Sequence, residues 1–286
     1  MAHLKALSVC LAIRLTGQKA PTSELIALAV CHANCRQVHE ESECWTSLDT
    51  GFLIPVDDVL DLIPPLSTRL IEEETLGSGL STGRARPDLI YVSAVPRKGL
   101  SFRFIEVKYR RHLRATRSPD VLEGIRQQVQ SLRERWDEWY VTADVCSSFR
   151  AVRRAKLARV LRFYADKARR HSVTKDLHEN IVAEIDRMIE KGTEYSFAET
   201  DKADRGWVFC PEYDGAVPLE VSPAGWETRI FLFGPALIPD SIFRQETLNG
   251  PVAAGQNGEV VTVTSHAEEF ENSTVPSGAP QQLYTS

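Results

Sequence analysis

Apolar positions recur at two different periods along this chain, and the change of period marks its elements. Leu89-Ile90-Tyr91-Val92 and Phe102-Arg103-Phe104-Ile105-Glu106-Val107-Lys108 are short runs rich in β-branched and aromatic residues, which predicts strands. Pro96-Arg97-Lys98-Gly99 between them is turn chemistry, so the two runs read as a hairpin. Side chains alternate faces along a strand. Glu106 and Lys108 therefore share one face, while Ile105 and Val107 point the other way into a core. Helical periodicity takes over at Ser118-Pro119-Asp120, an N-cap, a proline at the first helical position and an acid in the first turn. Val121, Leu122, Ile125, Val129, Leu132 and Trp136 form the apolar stripe of that helix.

The same reading extends to both ends of the chain. Residues 148–170 and about 174–191 read as helices, the second closed by Gly192. Leu4, Leu7, Leu11 and Leu15 lie at helical spacing, and Pro21-Thr22-Ser23-Glu24 opens a helix carrying Leu25, Ile26, Leu28, Ala29 and Val30. The segment from Trp45 to Val59, with Gly51 to Val56 at its centre, predicts a first core strand, and Pro64-Pro65 ends it. Trp207 to Cys210 and Thr228 to Phe233 read as further strands, with a weaker one from Val217 to Val221. The fold class is α/β. One domain is expected over 1–246 with a helical insertion at about 141–200. The stretch 247–286 is rich in Gly, Pro, Ser, Thr, Asn and Gln and reads as a disordered tail, apart from a short strand pattern at Val260 to Val263.

The hairpin brings candidate chemistry together. Asp88 stands at the mouth of the first strand, and pairing would carry it close to Glu106. Two carboxylates and the Lys108 ammonium then converge at one sheet edge. Carboxylates suit Mg²⁺, which prefers oxygen ligands and keeps several waters. A lysine two residues from such a ligand can hold a water and offset charge at phosphorus. An isolated E-x-K on a strand is more often a solvated ion pair; the succession strand, turn, strand, helix distinguishes this instance.

Pro87-Asp88 followed by Glu106-Val107-Lys108 resembles the PD-(D/E)xK nuclease superfamily, which includes restriction endonucleases, Holliday-junction resolvases and RecB-type nucleases. The match covers about residues 86–132. It implies a restriction-endonuclease-like α-β-β-β-α-β core with added helices and C-terminal strands. It also implies Mg²⁺, or Mn²⁺, held by Asp88, Glu106 and the carbonyl of Val107, with Lys108 catalytic. RecB-type members place a glutamine on the following helix; Gln128 matches, with Gln127 and Gln130 as competitors. The tyrosine that often follows is replaced by Leu132. Resolvases carry a glutamate on the first core helix, a place matched by Glu24, with Glu72-Glu73-Glu74 as a rival. A weaker similarity, over Arg103 to Tyr140 together with Arg229 to Pro235, links the chain to nuclease regions allied with translocase-type ATPases in bacterial anti-phage restriction. It implies a separate ATPase partner. The alternative is a catalytically silent subunit of the same fold, acting as DNA clamp or ATPase adaptor; the intact Asp88, Glu106 and Lys108 favour the enzyme.

Charge sharpens the expectation of a DNA substrate. The chain is acidic overall, at −5, yet residues 108–170 hold 17 Lys/Arg against 7 Asp/Glu. This basic middle begins at Lys108 and runs through Arg110, Arg111, Arg114 and Arg117 to Arg153 and Arg154, with Arg86 on the other side of the motif. A basic tract adjoining a phosphodiester site is what a nucleic-acid backbone requires, although most charge runs are solvated helix faces. No helix-turn-helix or zinc-finger spacing points to base readout. No G-x-x-x-x-G-K-[ST] loop occurs, and no apolar run reaches membrane-spanning length. Among six cysteines, Cys31, Cys35 and Cys44 cluster near His32 and His39. Cluster-bearing nucleases of the superfamily place most such cysteines after the motifs, so these thiols read as small buried hydrophobes rather than metal ligands. The composition reads as cytoplasmic, with self-association left open.

Overall fold

The computed structural model describes residues 23–40, 42–62, 87–95, 98–141, 147–171, 173–198 and 203–238. The N-terminal leucine repeat, Glu72 to Glu74, Arg86 and the tail at 247–286 lie outside the described residues.

Among the described residues, five helices and six strands make a mixed α/β fold. Helix α1 (Ser23–Gln37) precedes β1 (Gly51–Pro55), a 3-10 segment (Val56–Leu62), β2 (Leu89–Val95) and β3 (Gly99–Tyr109). A short helix α2 (Leu113–Thr116), then α3 (Pro119–Trp136), α4 (Ser147–Arg169) and α5 (Lys175–Lys191), separate β3 from β4 (Arg205–Phe209), β5 (Leu219–Glu220) and β6 (Arg229–Phe233). The open sheet runs β1-β2-β3-β4-β6-β5. The first three strands form an antiparallel meander, β3–β4 and β4–β6 are parallel, and β5 returns antiparallel beside β6. The expected Val217 to Val221 strand shrinks to two residues; Pro218 cannot donate to a ladder.

Alternation along β2 and β3 divides the core. Ile90, Val92, Phe102 and Phe104 pack with Val129, Leu132 and Trp136 of α3 and with α4 and α5. Leu89, Tyr91, Ile105 and Val107 face α1 through Leu25, Leu28 and Cys31, joined by Trp207, Phe209 and Phe233. Each such side chain contributes about 1.5–3 kcal/mol on burial, so β3, apolar on both faces, is the best-anchored strand.

Helix α3 is built much as its stripe predicts. Ser118 sits at the N-cap, but its side chain makes no capping bond; its carbonyl accepts from Val121 and Leu122 instead. The helix runs into a π-turn (Asp137–Val141), where Trp136 and Tyr140 stack at 4.5 Å and Tyr140 donates to the Leu62 carbonyl. Arg133 anchors α3 to the sheet: it pairs with Asp204, donates to the Phe102 carbonyl and lies over the Phe104 ring. Gly206 lets the helix approach β4, since a Cβ there would lie 2.5 Å from Ile125 Cγ2.

Candidate active site

The site forms where β2 and β3 stop pairing. Their register sets Leu89 opposite Ile105, and continued by one residue it sets Asp88 opposite Glu106. The backbone bends at Asp88: its N–H donates to the Ile105 carbonyl while its carbonyl accepts from Val56 on the other side. The Asp88 side chain then takes over the strand's role, and its Oδ2 accepts from the Val107 N–H at 2.8 Å. The N–H and C=O of one strand residue point to the same side, so the Val107 carbonyl also faces Asp88. Pro87, which comes next along the ladder, has no N–H to occupy that carbonyl.

Glu106 and Lys108 share the sheet face of Phe102 and Phe104, as the alternation requires. Glu106 is 1% exposed. Its Oε1 is ion-paired with Lys108 Nζ, and the Asp88 carboxyl is its other polar neighbour among the described residues. Burying an ionised carboxylate with so few partners costs several kcal/mol. The apolar packing on both faces of β3 is what sustains it.

Burial dominates the electrostatics, and neighbouring carboxylates add to it. Burial pushes the Asp88 carboxyl up to about 6, against the opposing pull of Lys108 and the Val107 N–H. Glu106 is raised well above the carboxylate range, first by burial and then by the Asp88 charge. Lys108, opposed by its own burial, is held above its usual value by Glu106 and Asp88 and stays charged at neutral pH. Two reluctant carboxylates beside a fixed ammonium form a pocket short of positive charge.

The other expected residues divide. Glu24, exposed in the first turn of α1, sends its charge onto both Asp88 and Lys108, so it stands on the rim of the site. Gln128 lies on α3, which packs on the Glu106 face, and its Oε1 is buried without a partner. Gln127 and Gln130 are exposed and bonded to Glu123 and to Arg126 and Glu134 on their own helix. Asp57 was missed: it follows Val56 at the end of β1, and its charge raises Asp88. An Asp-Asp pair just after a strand-ending proline is the sequence signal for it.

The basic residues are redistributed. Arg110 donates to the Tyr109 carbonyl, while Arg111, Arg114 and Arg117 are exposed just past Lys108. Their loop is pinned: the Arg110 N–H donates to Phe209, and Glu212 holds His112 and the Leu113 N–H. Arg153 and Arg154, expected to contact DNA, are engaged within the fold. Arg154 is 3% exposed and donates to the carbonyls of Tyr140, Gly192 and Tyr195. Arg153 is half-buried, its guanidinium 3.2 Å over the Trp139 ring. The packed side of α4 uses its arginines to satisfy carbonyls and rings, which a charge count cannot distinguish from a solvated face.

Cys31 and Cys35 are buried on α1, and burial raises both thiols, Cys35 to about 11. Among the described residues, no three His, Cys, Asp or Glu side chains are grouped to hold a metal, and no helix is long and apolar enough to cross a membrane. Mg²⁺ nonetheless fits the donor set, because it is commonly held by one or two carboxylates and completes its shell with water and phosphate oxygens. The Glu106 carboxylate, Asp88 and the Val107 carbonyl suit that use. No family model matches this chain, and neither a curated protein nor a solved structure matches it.

Proposed function

We propose that this chain is a Mg²⁺-dependent DNA endonuclease with a restriction-endonuclease-like core, acting as the nuclease component of a DNA-restriction complex. One observation carries the reading: Glu106, sealed from solvent, stands opposite Asp88 and is ion-paired with Lys108. The order of α1, three antiparallel strands, intervening helices and parallel β4 supports the core assignment.

Asp88, Glu106 and the Val107 carbonyl would hold the cation. When bound, Mg²⁺ would polarise the scissile phosphoryl group and lower the pKa of its water. The Val107 N–H fixes the Asp88 carboxyl for that task. Lys108, tethered by Glu106, would orient the attacking water in line with the leaving oxygen and offset charge gathering at phosphorus. Gln128 would donate to the substrate phosphate or the water from the helix side, and Glu24 would share the load at the rim. Arg111, Arg114 and Arg117 would take adjacent phosphates, giving binding that is strongly salt-dependent and blind to sequence.

The test is nicking of supercoiled plasmid by the purified protein. Mg²⁺ or Mn²⁺ should support cleavage, EDTA should stop it, and Ca²⁺ should support binding alone, because Ca²⁺ takes looser geometry and activates water less. A separate translocase-type ATPase belongs to the proposal. Cleavage seen only with such a partner and ATP keeps the chemistry at Asp88 and Glu106 and moves its control to the complex. No cleavage of plain, branched, single-stranded or modified DNA under either condition would replace the enzyme by a silent adaptor.

A further inference from the structure

Helix α4 carries a face that the fold leaves uncovered among the described residues. Its inner side, through Leu157, Ala158, Leu161, Tyr164 and Ala165, is buried. On the outer side, Phe149 is 65% exposed, Val152 58% and Phe163 62%. Lys156 and Arg159 are exposed between them. The spacing 149, 152, 156, 159, 163 alternates steps of three and four, the seam of a coiled coil. The seam spans about 21 Å at 1.5 Å per residue. Apolar groups occupy its ends and cations its middle. Arg162 is paired with Asp186 of α5, whereas Lys156 and Arg159 have no ion pair among the described residues. Ile189, one turn past Asp186, is also exposed and adds an apolar shoulder.

We propose that this seam is a docking site for an acidic amphipathic helix of a partner protein, with apolar residues meeting Phe149, Val152 and Phe163 and carboxylates meeting Lys156 and Arg159. Charge complementarity selects the occupant. A second copy of the same helix, packed parallel or antiparallel, would set Lys156 and Arg159 against their own kind, a repulsive arrangement. Duplex DNA would gain little from two phenylalanine rings at the ends of the contact. The inference is independent of the chemistry at Glu106.

The test uses the full chain and two synthetic helices of about 20 residues. One carries leucine at the outer seam positions and glutamate at the two central ones; the other replaces those glutamates by lysine. Fluorescence anisotropy should show the acidic helix binding at least tenfold more tightly. F149S with F163S should weaken it roughly tenfold or more, as loss of exposed aromatic anchors does, and K156E with R159E should reverse the preference between peptides. All four positions are exposed, so these variants should keep the wild-type circular dichroism and nicking behaviour. Equal binding of both peptides, or no response to F149S with F163S, overturns the proposal. A concentration-dependent dimer abolished by F149S with F163S would overturn it in favour of a second copy. Loss of single-stranded DNA binding in that variant, without peptide binding in the wild type, would overturn it in favour of nucleic acid.

Discussion

Asp88→Asn should make the protein more stable at pH 8 in the absence of metal, although it removes a proposed ligand. The Asp88 carboxyl titrates at about 6 in the fold, against about 4 in an unfolded chain. Its folded pKa is raised, so the folded state holds a proton that the unfolded state has already released. Stability therefore falls as pH rises from about 4 to about 6 and stays reduced above that window. At about 1.4 kcal/mol per unit the ceiling is about 3 kcal/mol. Lys108 and the Val107 N–H are already counted within that net shift. Because the side chain is half-buried rather than sealed, the gain expected from Asn is about 1–3 kcal/mol at pH 8 and near zero at pH 4. Urea unfolding in EDTA at pH 4, 6 and 8 measures it. Added Mg²⁺ should then raise the stability of the wild type at pH 8 far more than that of the variant. A variant less stable than wild type at pH 8, or a difference that ignores pH, would falsify the account of an Asp88 carboxyl raised chiefly by burial.

Lys108→Ala should abolish nicking while leaving the DNA dissociation constant within about threefold, because its role is in the transition state; wild-type cleavage by this variant would remove Lys108 from the mechanism. Arg111→Glu with Arg114→Glu should weaken DNA binding and flatten its salt dependence in a gel-shift titration. Arg154→Ala should act on stability instead, lowering it by about 2–4 kcal/mol through the hydrogen bonds lost to the carbonyls of Tyr140, Gly192 and Tyr195; a fully stable Arg154→Ala with weakened DNA binding would restore the basic-helix reading. Gly206→Ala should cost about 1–3 kcal/mol in thermal unfolding, since its new methyl meets Ile125.

The strands and helices around the motif were legible because their periods are clean. Glu106 and Lys108 alternate with Ile105 and Val107, and α3 repeats its apolar residues every three or four positions. The faces of the site followed from the same alternation. What the chain does not spell out is which polar groups the tertiary packing consumes. Arg154 and Arg111 are alike in one dimension; one is walled in by Tyr140, Gly192 and Tyr195, while the other stands in solvent. Asp57 escaped for the converse reason. Its nearness to Asp88 comes from a β1–β2 pairing across more than thirty residues, much of it with no periodic pattern.

The parallel junction of β3 with β4 has a consequence for how the chain acquires its site. Phe104 and Asp204, bonded across that junction, are 100 residues apart in sequence, whereas Val107 and Asp88 are 19 apart. Closing the longer loop costs more entropy and depends on the helices between the two strands. The meander that carries Asp88, Glu106 and Lys108 can therefore assemble while its far edge is still unpaired. Before β4 pairs, Glu106 would be open to water and ionise more readily than in the finished fold, where it is 1% exposed. Pulse-labelled hydrogen exchange during refolding should protect the Val107 amide before that of Phe104.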